Sequence, residues 1–281
     1  MTMSKRLGVY SMGLVHNKGE LPDFLHAFSL EQQATKQEQA ACYPPASVQE
    51  LGKCMPSVPL RRIPHYARMA LLAAHRTLMK APKDVDLHEL SLVIGTAYAG
   101  VHMSMDFMDS IVDASPRLSS PTAFSHAVNN MGAGLLSLYL GLHGACHTVT
   151  QFNLSFAGAL SLAATLVHAQ RARYVLVGGV EEYDQRFMQT CPQTATAFPQ
   201  AEGSVFVLVG KEAASKPSIA VSWQTEGAAA PLKHRSFYGE SPLAQGFETA
   251  LALATVPANQ EITLSCCHQH SQRRATIHIK K

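Results

Sequence analysis

The chain has 281 residues, of which 47% are hydrophobic and 15% are charged. This composition excludes a disordered chain, which needs low hydrophobicity and high charge, and the charged fraction lies below the usual value of about 25%. The 23 basic and 20 acidic residues form no long basic run, so nucleic acid is not an expected partner. The low charge indicates that another protein covers part of the surface.

The chain shows no sign of export or membrane insertion. No uninterrupted run of about 18 apolar residues occurs, so we expect no membrane-spanning helix. The apolar stretch from Leu7 to Val15 is short and contains Ser11, which favours a first β-strand over a signal peptide. The six cysteines are scattered and include no C-x-x-C pair. They are typical of reduced thiols, and we expect a cytoplasmic protein.

Local patterns predict strands that alternate with helices. The first strand is predicted at 5–15, before a Pro-rich excursion over 17–60 that holds one short helix near 29–38. Apolar periodicity predicts a helix over 64–80. The later predictions, in chain order, are a strand at 91–97, a Met-rich helix at 101–112, a helix at 122–141, a strand at 147–152, a helix at 154–170, a strand at 173–180, a loop at 183–202, a strand pair at 204–211 and 218–224, a helix at 244–255, and strands at 262–266 and 274–279. This alternation is typical of an α/β fold with a mixed sheet.

Four segments in a fixed order resemble a known family. The longest contains SPTAFSHAVNNMGAG and G-L-H-G, and it is followed by R-Y-V-L-V-G-G-V-E-E. RRIPHYARMALLAA precedes these motifs and AEGSVFVLVGKEAA follows them. Together they resemble the N-terminal half of β-ketoacyl synthases, which are thiolase-fold condensing enzymes. The resemblance implies a thiolase-like layered fold of the α/β/α/β/α type with the N-terminal half retained.

The C-terminal part departs from that family. The resemblance would bring two catalytic histidines, one of them in an H-G-T-G-T motif. Neither this motif nor the family's G-F-G-G-T-N loop occurs, and too few residues follow Trp223 for a second βαβαβ half. We therefore predict one β-ketoacyl synthase-like domain over 1–281. It has an N-terminal half over 1–225 and a truncated C-terminal part over 226–281.

The family's nucleophilic cysteine is also replaced. The family motif T-x-x-x-A-C-A-S-G aligns with T-V-T-Q-F-N-L-S-F, which places Asn153 at the cysteine position. A helix N-terminus lowers the pKa of a thiol, but an amide gains nothing from it and cannot attack a thioester. Because Asn is a good N-cap residue, Asn153 is predicted to cap a retained helix. We predict no catalytic residue, cofactor or metal, so the chain would be a pseudoenzyme.

The resemblance implies a chain length factor, the subunit that lacks the cysteine and shapes the end of the acyl tunnel. Its partner would be a full-length β-ketoacyl-ACP synthase in a heterodimer or a dimer of heterodimers, with acyl carrier protein as an indirect partner. Such subunits accompany synthases of polyketide, fatty-acid-like and aryl polyene pathways. Thiolase-fold dimers pair across the strand before the nucleophile, here 147–152, and the Met-rich helix would supply the tunnel gate. The predicted gate and interface residues are Phe107, Met108, Ile111, Phe152 and Asn153.

Three alternatives stay open at this point. A stand-alone acyltransferase or thioester hydrolase would use Ser155 or Cys146, although N-L-S-F-A lacks the glycines of a G-x-S-x-G elbow. A metal site would use C-C-H-Q-H at 266–270, although this spacing is not typical of zinc. A stand-alone acyl-carrier binding module would use basic residues to meet an acidic carrier. These basic residues are Arg61, Arg62 and Arg68.

Overall fold

One nine-stranded mixed sheet organises the computed structural model, which describes residues 2–3, 5–31, 42–114, 119–190, 200–225, 232–267 and 273–281. The alternation of strands and helices confirms the α/β prediction. The strands are β1 (Thr2–Met3), β2 (Leu7–His16), β3 (Ser91–Gly95), β4 (Cys146–Val149), β5 (Tyr174–Glu181), β6 (Gly203–Lys211), β7 (Ser218–Gln224), β8 (Glu261–Cys267) and β9 (Arg274–Lys280).

The helices lie on both faces of this sheet. Those predicted at 64–80, 101–112, 154–170 and 244–255 begin and end within a few residues of their predicted bounds, whereas the helix predicted near 29–38 overlaps the observed first helix only at 29–31. Within the described ranges, no helix is both long and apolar enough to cross a bilayer. Residues 32–38 of the helix predicted near 29–38 lie outside the described residues. The helices are α1 (Leu21–Glu31), α2 (Leu51–Cys54), α3 (His65–Leu78), α4 (Val101–Ala114), α5 (Pro121–Ala127), α6 (Met131–Leu140), α7 (Ser155–His168), α8 (Gln185–Thr190), α9 (Arg235–Tyr238) and α10 (Ala244–Thr255).

The strand order is β4-β3-β5-β6-β2-β7-β9-β8, with β1 added beside β7. β3 runs parallel to β4 and β5, and the remaining pairs are antiparallel. The prediction that 204–211 and 218–224 pair with each other is wrong, because β2 lies between them. β2 pairs with β6 along its length and with β7 at Leu7 and Gly8.

Two apolar clusters fill the two faces of the sheet. α7 and α10 pack on one face, against alternate residues such as Val175 and Val207. α3 and α6 cover the other face, against Leu176 and Leu208. Because successive side chains of a strand point to opposite faces, a strand covered on both sides is apolar throughout. This explains the unbroken apolar runs of β5 and β6.

Two predicted elements differ in the structure. The helix predicted over 122–141 is two helices, since Val128 is extended (φ −72°, ψ 140°) and ends α5 before α6 begins. The loop predicted over 183–202 contains α8. Asp184 starts this helix, because its Oδ1 accepts hydrogen bonds from the backbone N–H groups of Arg186 (2.8 Å) and Phe187 (3.2 Å).

Candidate functional site

A sharp turn joins β4 to the first turn of α7, and we call it the elbow (residues 150–155). Phe152 has φ +49°, a left-handed conformation that is costly for a bulky aromatic residue. A one-turn 3₁₀-helix from Phe152 to Leu154 then leads into α7. The end of β3 lies so close that a Cβ on Gly95 would meet the Ser155 carbonyl oxygen at 2.4 Å. The close approach of β3 therefore restricts the backbone of the elbow.

Asn153 lies half-buried in the elbow and reaches across to β8. Its Nδ2 donates hydrogen bonds to the carbonyl oxygen of Cys267 and to the Sγ of Cys266, the latter at 3.2 Å. Its Oδ1 is buried and has no hydrogen-bond partner among the described residues. The prediction that Asn153 caps α7 is wrong, since the N-cap position belongs to Leu154 and no side chain caps it.

Neither alternative nucleophile is activated. Ser155 is 3% exposed, and its Oγ accepts a hydrogen bond from the backbone N–H of Gln151 at 2.8 Å. Its hydroxyl proton faces two carbonyl oxygens, those of Thr96 (3.1 Å) and Phe152 (2.6 Å). Among the described residues no histidine or carboxylate bonds to this hydroxyl, so it lacks a base. Cys146 is exposed at the surface, although partial desolvation of its thiol raises the pKa above the usual value, which disfavours a thiolate.

The proposed metal motif is only partly described, because His268 and His270 lie outside the described residues. Cys266 is buried, and burial raises the pKa of its thiol to about 11. A thiol that stays protonated is a poor metal ligand, since metals bind the thiolate. The described part of the motif therefore acts in packing.

The predicted gate residues lie on α4, whose side chains are largely accessible. Val101 is buried, whereas residues 102–113 are half-buried or exposed. The ring of Phe107 packs against that of Phe124 on α5, with centroids 5.2 Å apart. Met108 is exposed and Ile111 is half-buried. Phe152 of the elbow is also exposed, and its ring lies 6.2 Å from that of Tyr98.

A group of buried carboxylates, which sequence reasoning missed, positions the start of α4. Glu181 accepts hydrogen bonds from the backbone N–H groups of Ala97 and Tyr98, and burial raises its pKa to about 8. Glu182 accepts from the N–H groups of Tyr66 (3.2 Å) and His102 (3.1 Å), the first turns of α3 and α4. A carboxylate is favoured at a helix N-terminus. The available signal was E-E-Y-D at the end of an otherwise apolar strand.

A second polar network joins α4 to α8. The guanidinium of Arg186 donates to Asp184 (2.7 Å), Asp106 (2.9 Å) and Asp109 (2.6 Å). His102 Nδ1 lies 2.8 Å from Asp184 Oδ2. Hydrogen bonding to Asp184 raises the pKa of Arg186, so the side chain stays charged. The network therefore joins His102, Asp106 and Asp109 of α4 to Asp184 and Arg186, which follow β5 in the chain.

A basic cleft of about 760 Å³ opens beside α3, α4 and α5. Its wall includes Arg61, Arg62 and Arg68, and no carboxylate of the described residues pairs with any of the three. His65, His126 and the carboxylates Asp106 and Glu182 also line it. Unpaired guanidinium groups around a cleft favour an anionic partner.

Strand β4 forms one edge of the sheet and, among the described residues, pairs only with β3. α6 packs beside β4, α5 contacts α6 and α4 contacts α5, and together with the elbow these helices carry most of the exposed large apolar side chains of the described chain. We call the edge of β4 together with these side chains the β4 surface. Its members are Met108, Val112, Phe124, Val128, Leu138 and Phe152. An apolar group of this size beside an open strand edge is unusual for a surface that faces only water.

The sequence matches one protein family and is similar to known synthases. Residues 31–272 match the family described as "Beta-ketoacyl synthase, N-terminal domain". The chain is similar to 3-oxoacyl-[acyl-carrier-protein] synthase I, chloroplastic, of Arabidopsis thaliana, with 22% identity over 127 residues. It is also similar to 3-oxoacyl-[acyl-carrier-protein] synthase 2 of Synechocystis sp., with 23% identity over 124 residues. Each alignment covers 43% of this chain, and they cover 27% and 30% of those two proteins.

Solved structures match over nearly the whole chain. One is the ishigamide ketosynthase/chain length factor, with a TM-score of 0.77, 16% identity and coverage of 98% of this chain and 99% of the other. Another is the ketosynthase ApeO in complex with its chain length factor ApeC from Xenorhabdus doucetiae, with a TM-score of 0.70, 17% identity and coverage of 99% and 100%. The predicted thiolase-like ketosynthase fold is confirmed by these likenesses.

Proposed function

Because the chain belongs to the β-ketoacyl synthase family, we propose that it is a chain length factor. In this role it pairs with a full-length, active β-ketoacyl-ACP synthase, and the two subunits share one acyl tunnel. The partner performs the condensation, and this chain limits the length of the polyketide, polyene or fatty-acyl product. Structures similar in fold include a ketosynthase bound to its chain length factor. A product of the aryl polyene class is the most specific form of this proposal.

The β4 surface is the observation that carries the proposal. Its strand edge offers unpaired backbone groups, and such edges are normally covered by another strand or helix. Its exposed apolar side chains suit a permanent interface, which resembles a divided protein core. A synthase subunit that adds its own strand beside β4 would satisfy the backbone groups and bury the apolar side chains in one step.

The local chemistry of the elbow supports a non-catalytic role. Asn153 stands at the nucleophile position, and its amide hydrogens are directed to Cys266 and Cys267. Ser155 is buried without a base, and Cys146 keeps its proton. An acyl group would find no activated nucleophile at these positions. We therefore propose that the chain is a pseudoenzyme that works without a cofactor.

Helix α4 is the proposed gate. Phe107 packs on Phe124, and Met108 and Ile111 lie on the same helix. These bulky side chains would end the tunnel where the partner's growing acyl chain reaches the interface. Phe152 and Asn153 would line the interface at the elbow.

The basic cleft provides a place for the indirect partner. An acidic carrier protein would be attracted to Arg61, Arg62 and Arg68, and long-range charge steering speeds such encounters. The carrier would then deliver its acyl chain to the active subunit beside it. We place the complex in the cytoplasm, in agreement with the free cysteines Cys42, Cys54 and Cys146.

Co-expression with the full-length synthase encoded nearest to this chain tests the pairing. Size-exclusion chromatography with mass detection should show one complex that contains both subunits in equal numbers. Leu138→Asp should remove the chain from that complex, because it buries a charge at the β4 surface. Met79→Asp is the matched control, since Met79 is 72% exposed and Leu138 is 68% exposed, but Met79 follows α3, away from β4.

Two outcomes would contradict the proposal. A chain that stays a monomer beside the synthase, or a Leu138→Asp variant that binds as well as Met79→Asp, would remove the interface. Covalent acylation of this chain, detected by intact mass after incubation with acyl-carrier thioester, would remove the pseudoenzyme assignment.

A further inference from the structure

Helix α4, with 14 residues, packs mainly against α5, and polar contacts join it to α8 and to the segment after β5. Only Val101 is buried among residues 101–113, so little apolar area fixes the helix against the sheet. Glu182 binds the first turn through the His102 N–H, and Phe107 packs on another surface helix. The position of the rest of α4 therefore depends on the charged network at its second and third turns.

Arg186 is the centre of that network. Its Nη1 donates to Asp109 Oδ2 at 2.6 Å and its Nη2 to Asp106 Oδ1 at 2.9 Å. Asp106 and Asp109 are three positions apart, so they lie on one side of α4. A planar guanidinium can hold two carboxylates at once in a fixed geometry, which a lysine ammonium cannot do.

The other end of the network is rigid. Asp184 comes shortly after β5, which ends at Glu181, and its side chain is 3% exposed. It accepts hydrogen bonds from two backbone N–H groups of α8, from Arg186 and from His102. Although burial opposes ionisation, the hydrogen bonds from Arg186, Phe187 and His102 hold the pKa of Asp184 below its usual range. Arg186 therefore ties α4 to a fixed point of the central sheet.

We propose that Arg186 is a positioning residue that sets the distance between α4 and the sheet, and thereby the width of the acyl tunnel at Phe107. The inference rests on the proposed gate role of α4. Phe107 follows Asp106 in the chain, so any movement of that aspartate moves the gate side chain with it. Without Arg186, Asp109 would lose its cation, and Asp106 and Asp184 would keep only His102 and backbone N–H groups as partners, so the three carboxylates would repel one another more strongly. This repulsion would push α4 outward and lengthen the products.

The purified complex of this chain with its synthase is the material for the test. Product lengths, measured by mass spectrometry, should shift to longer chains in Arg186→Met, which keeps the aliphatic stem and removes the charge. Arg186→Lys should give an intermediate profile. Adding Asp106→Asn and Asp109→Asn to Arg186→Met should return the profile toward that of the wild type, because the repulsion is relieved. A merely destabilising change would not be rescued in this way.

The Phe107→Ala variant separates failure of this inference from failure of the proposed function. If Phe107→Ala lengthens the products and Arg186→Met leaves them unchanged, the positioning role is overturned and the gate stands. If Phe107→Ala also leaves them unchanged, the gate assignment itself fails, and the tunnel role of Arg186 fails with it.

Hydrogen exchange of the isolated chain gives a readout that needs no product. In Arg186→Met, amides of α4 should exchange about fivefold faster, as expected for the loss of a charged network at a half-exposed site. Amides of α7 should be unaffected and serve as the internal control. Unchanged exchange in α4 would overturn the inference even if the variant complex makes altered products.

Discussion

Helices α4 and α7 each have 14 residues, but the protein holds them in opposite ways. Nine residues of α7 are buried, and small side chains such as Ala157 and Gly158 let the sheet approach closely. Among residues 101–113 of α4 only Val101 is buried, and the large apolar side chains there are half-buried or exposed. An apolar helix sequence is therefore compatible with two arrangements, a helix buried in the core or a helix whose apolar side chains stay partly exposed.

The same contrast separates the parts of the fold that are fixed from those that can vary. α7 is fixed by apolar burial on several sides, so any change there is felt through the whole core. α4 is fixed by its packing on α5 and by a few charged contacts, so we expect its position to tolerate a shift better than that of α7. The proposed role in setting product length needs both properties, a rigid sheet and a helix whose position can be adjusted.

The largest expected effect is on the free energy of unfolding, from a substitution in the buried helix α7. Phe156 in the first turn of α7 is 1% exposed. Phe156→Ala should lower the free energy of unfolding by about 4 kcal/mol, because it removes apolar contacts and leaves a cavity. Urea unfolding of the purified chain, followed by circular dichroism, measures this. Phe107→Ala on α4 is the matched control and should cost about 1 kcal/mol. Equal costs would break the contrast between the two helices.

A smaller effect is expected at the buried carboxylate that leads to α4. Burial raises the pKa of Glu181 to about 8, whereas an unfolded glutamate ionises at about pH 4.3. Between these values the folded chain binds more protons than the unfolded chain, so stability falls as pH rises. From about pH 5 to pH 8 the wild type should lose on the order of 3 kcal/mol more than Glu181→Gln.

Urea unfolding of both proteins across this pH range checks the prediction. The quantity to compare is the difference between the two stabilities at each pH, because other titrating groups are common to both proteins. A difference that stays constant from about pH 5 to pH 8 would mean that Glu181 ionises at its ordinary pKa inside the fold, contrary to this prediction.

A further effect on stability is expected from the hydrogen bond that Asn153 makes just before α7. Asn153→Ala removes the hydrogen bond to the Cys267 carbonyl and should cost about 1 kcal/mol. Asn129→Ala is a suitable control, since its side chain makes a long, exposed contact to Thr150 at 3.5 Å. No loss of stability in Asn153→Ala would show that the connection between the elbow and β8 is unimportant for folding.

The last prediction concerns the length of the products rather than the stability of the chain. In the complex with the synthase, Phe107→Ala should lengthen the products, because it removes bulk at the proposed end of the tunnel. Met79→Ala is the control, since Met79 follows α3, is 72% exposed, and its truncation should leave the products unchanged. An unchanged profile in Phe107→Ala would remove the gate assignment without touching the pairing at β4.

Much of the fold could be predicted because its signals are local. The apolar runs of β5 and β6 and the periodicity of α3 identify buried strands and an amphipathic helix. The elbow was found by the motif around Asn153. The sequence therefore predicted many of the elements without any knowledge of tertiary contacts, whereas the assignment of Asn153 to the position of the family's nucleophile stays a prediction.

The rest depends on contacts between distant residues, which local patterns do not contain. Asn153 bonds to Cys267, 114 positions away, rather than to the helix that it precedes. Glu182 binds the His102 N–H across 80 positions. Nothing in the residues around either side chain identifies these partners. The division at residue 225 and the gate residues stay predictions.

The position of β2 has a consequence for the order in which the chain can fold during synthesis. Its neighbours in the sheet are β6 and β7, which are made long after it. On the ribosome the first long strand must therefore wait with both edges open until most of the protein has emerged. Pairing over such sequence distances is slow, and open edges invite aggregation. The nascent chain is thus the form of this protein that most needs chaperones.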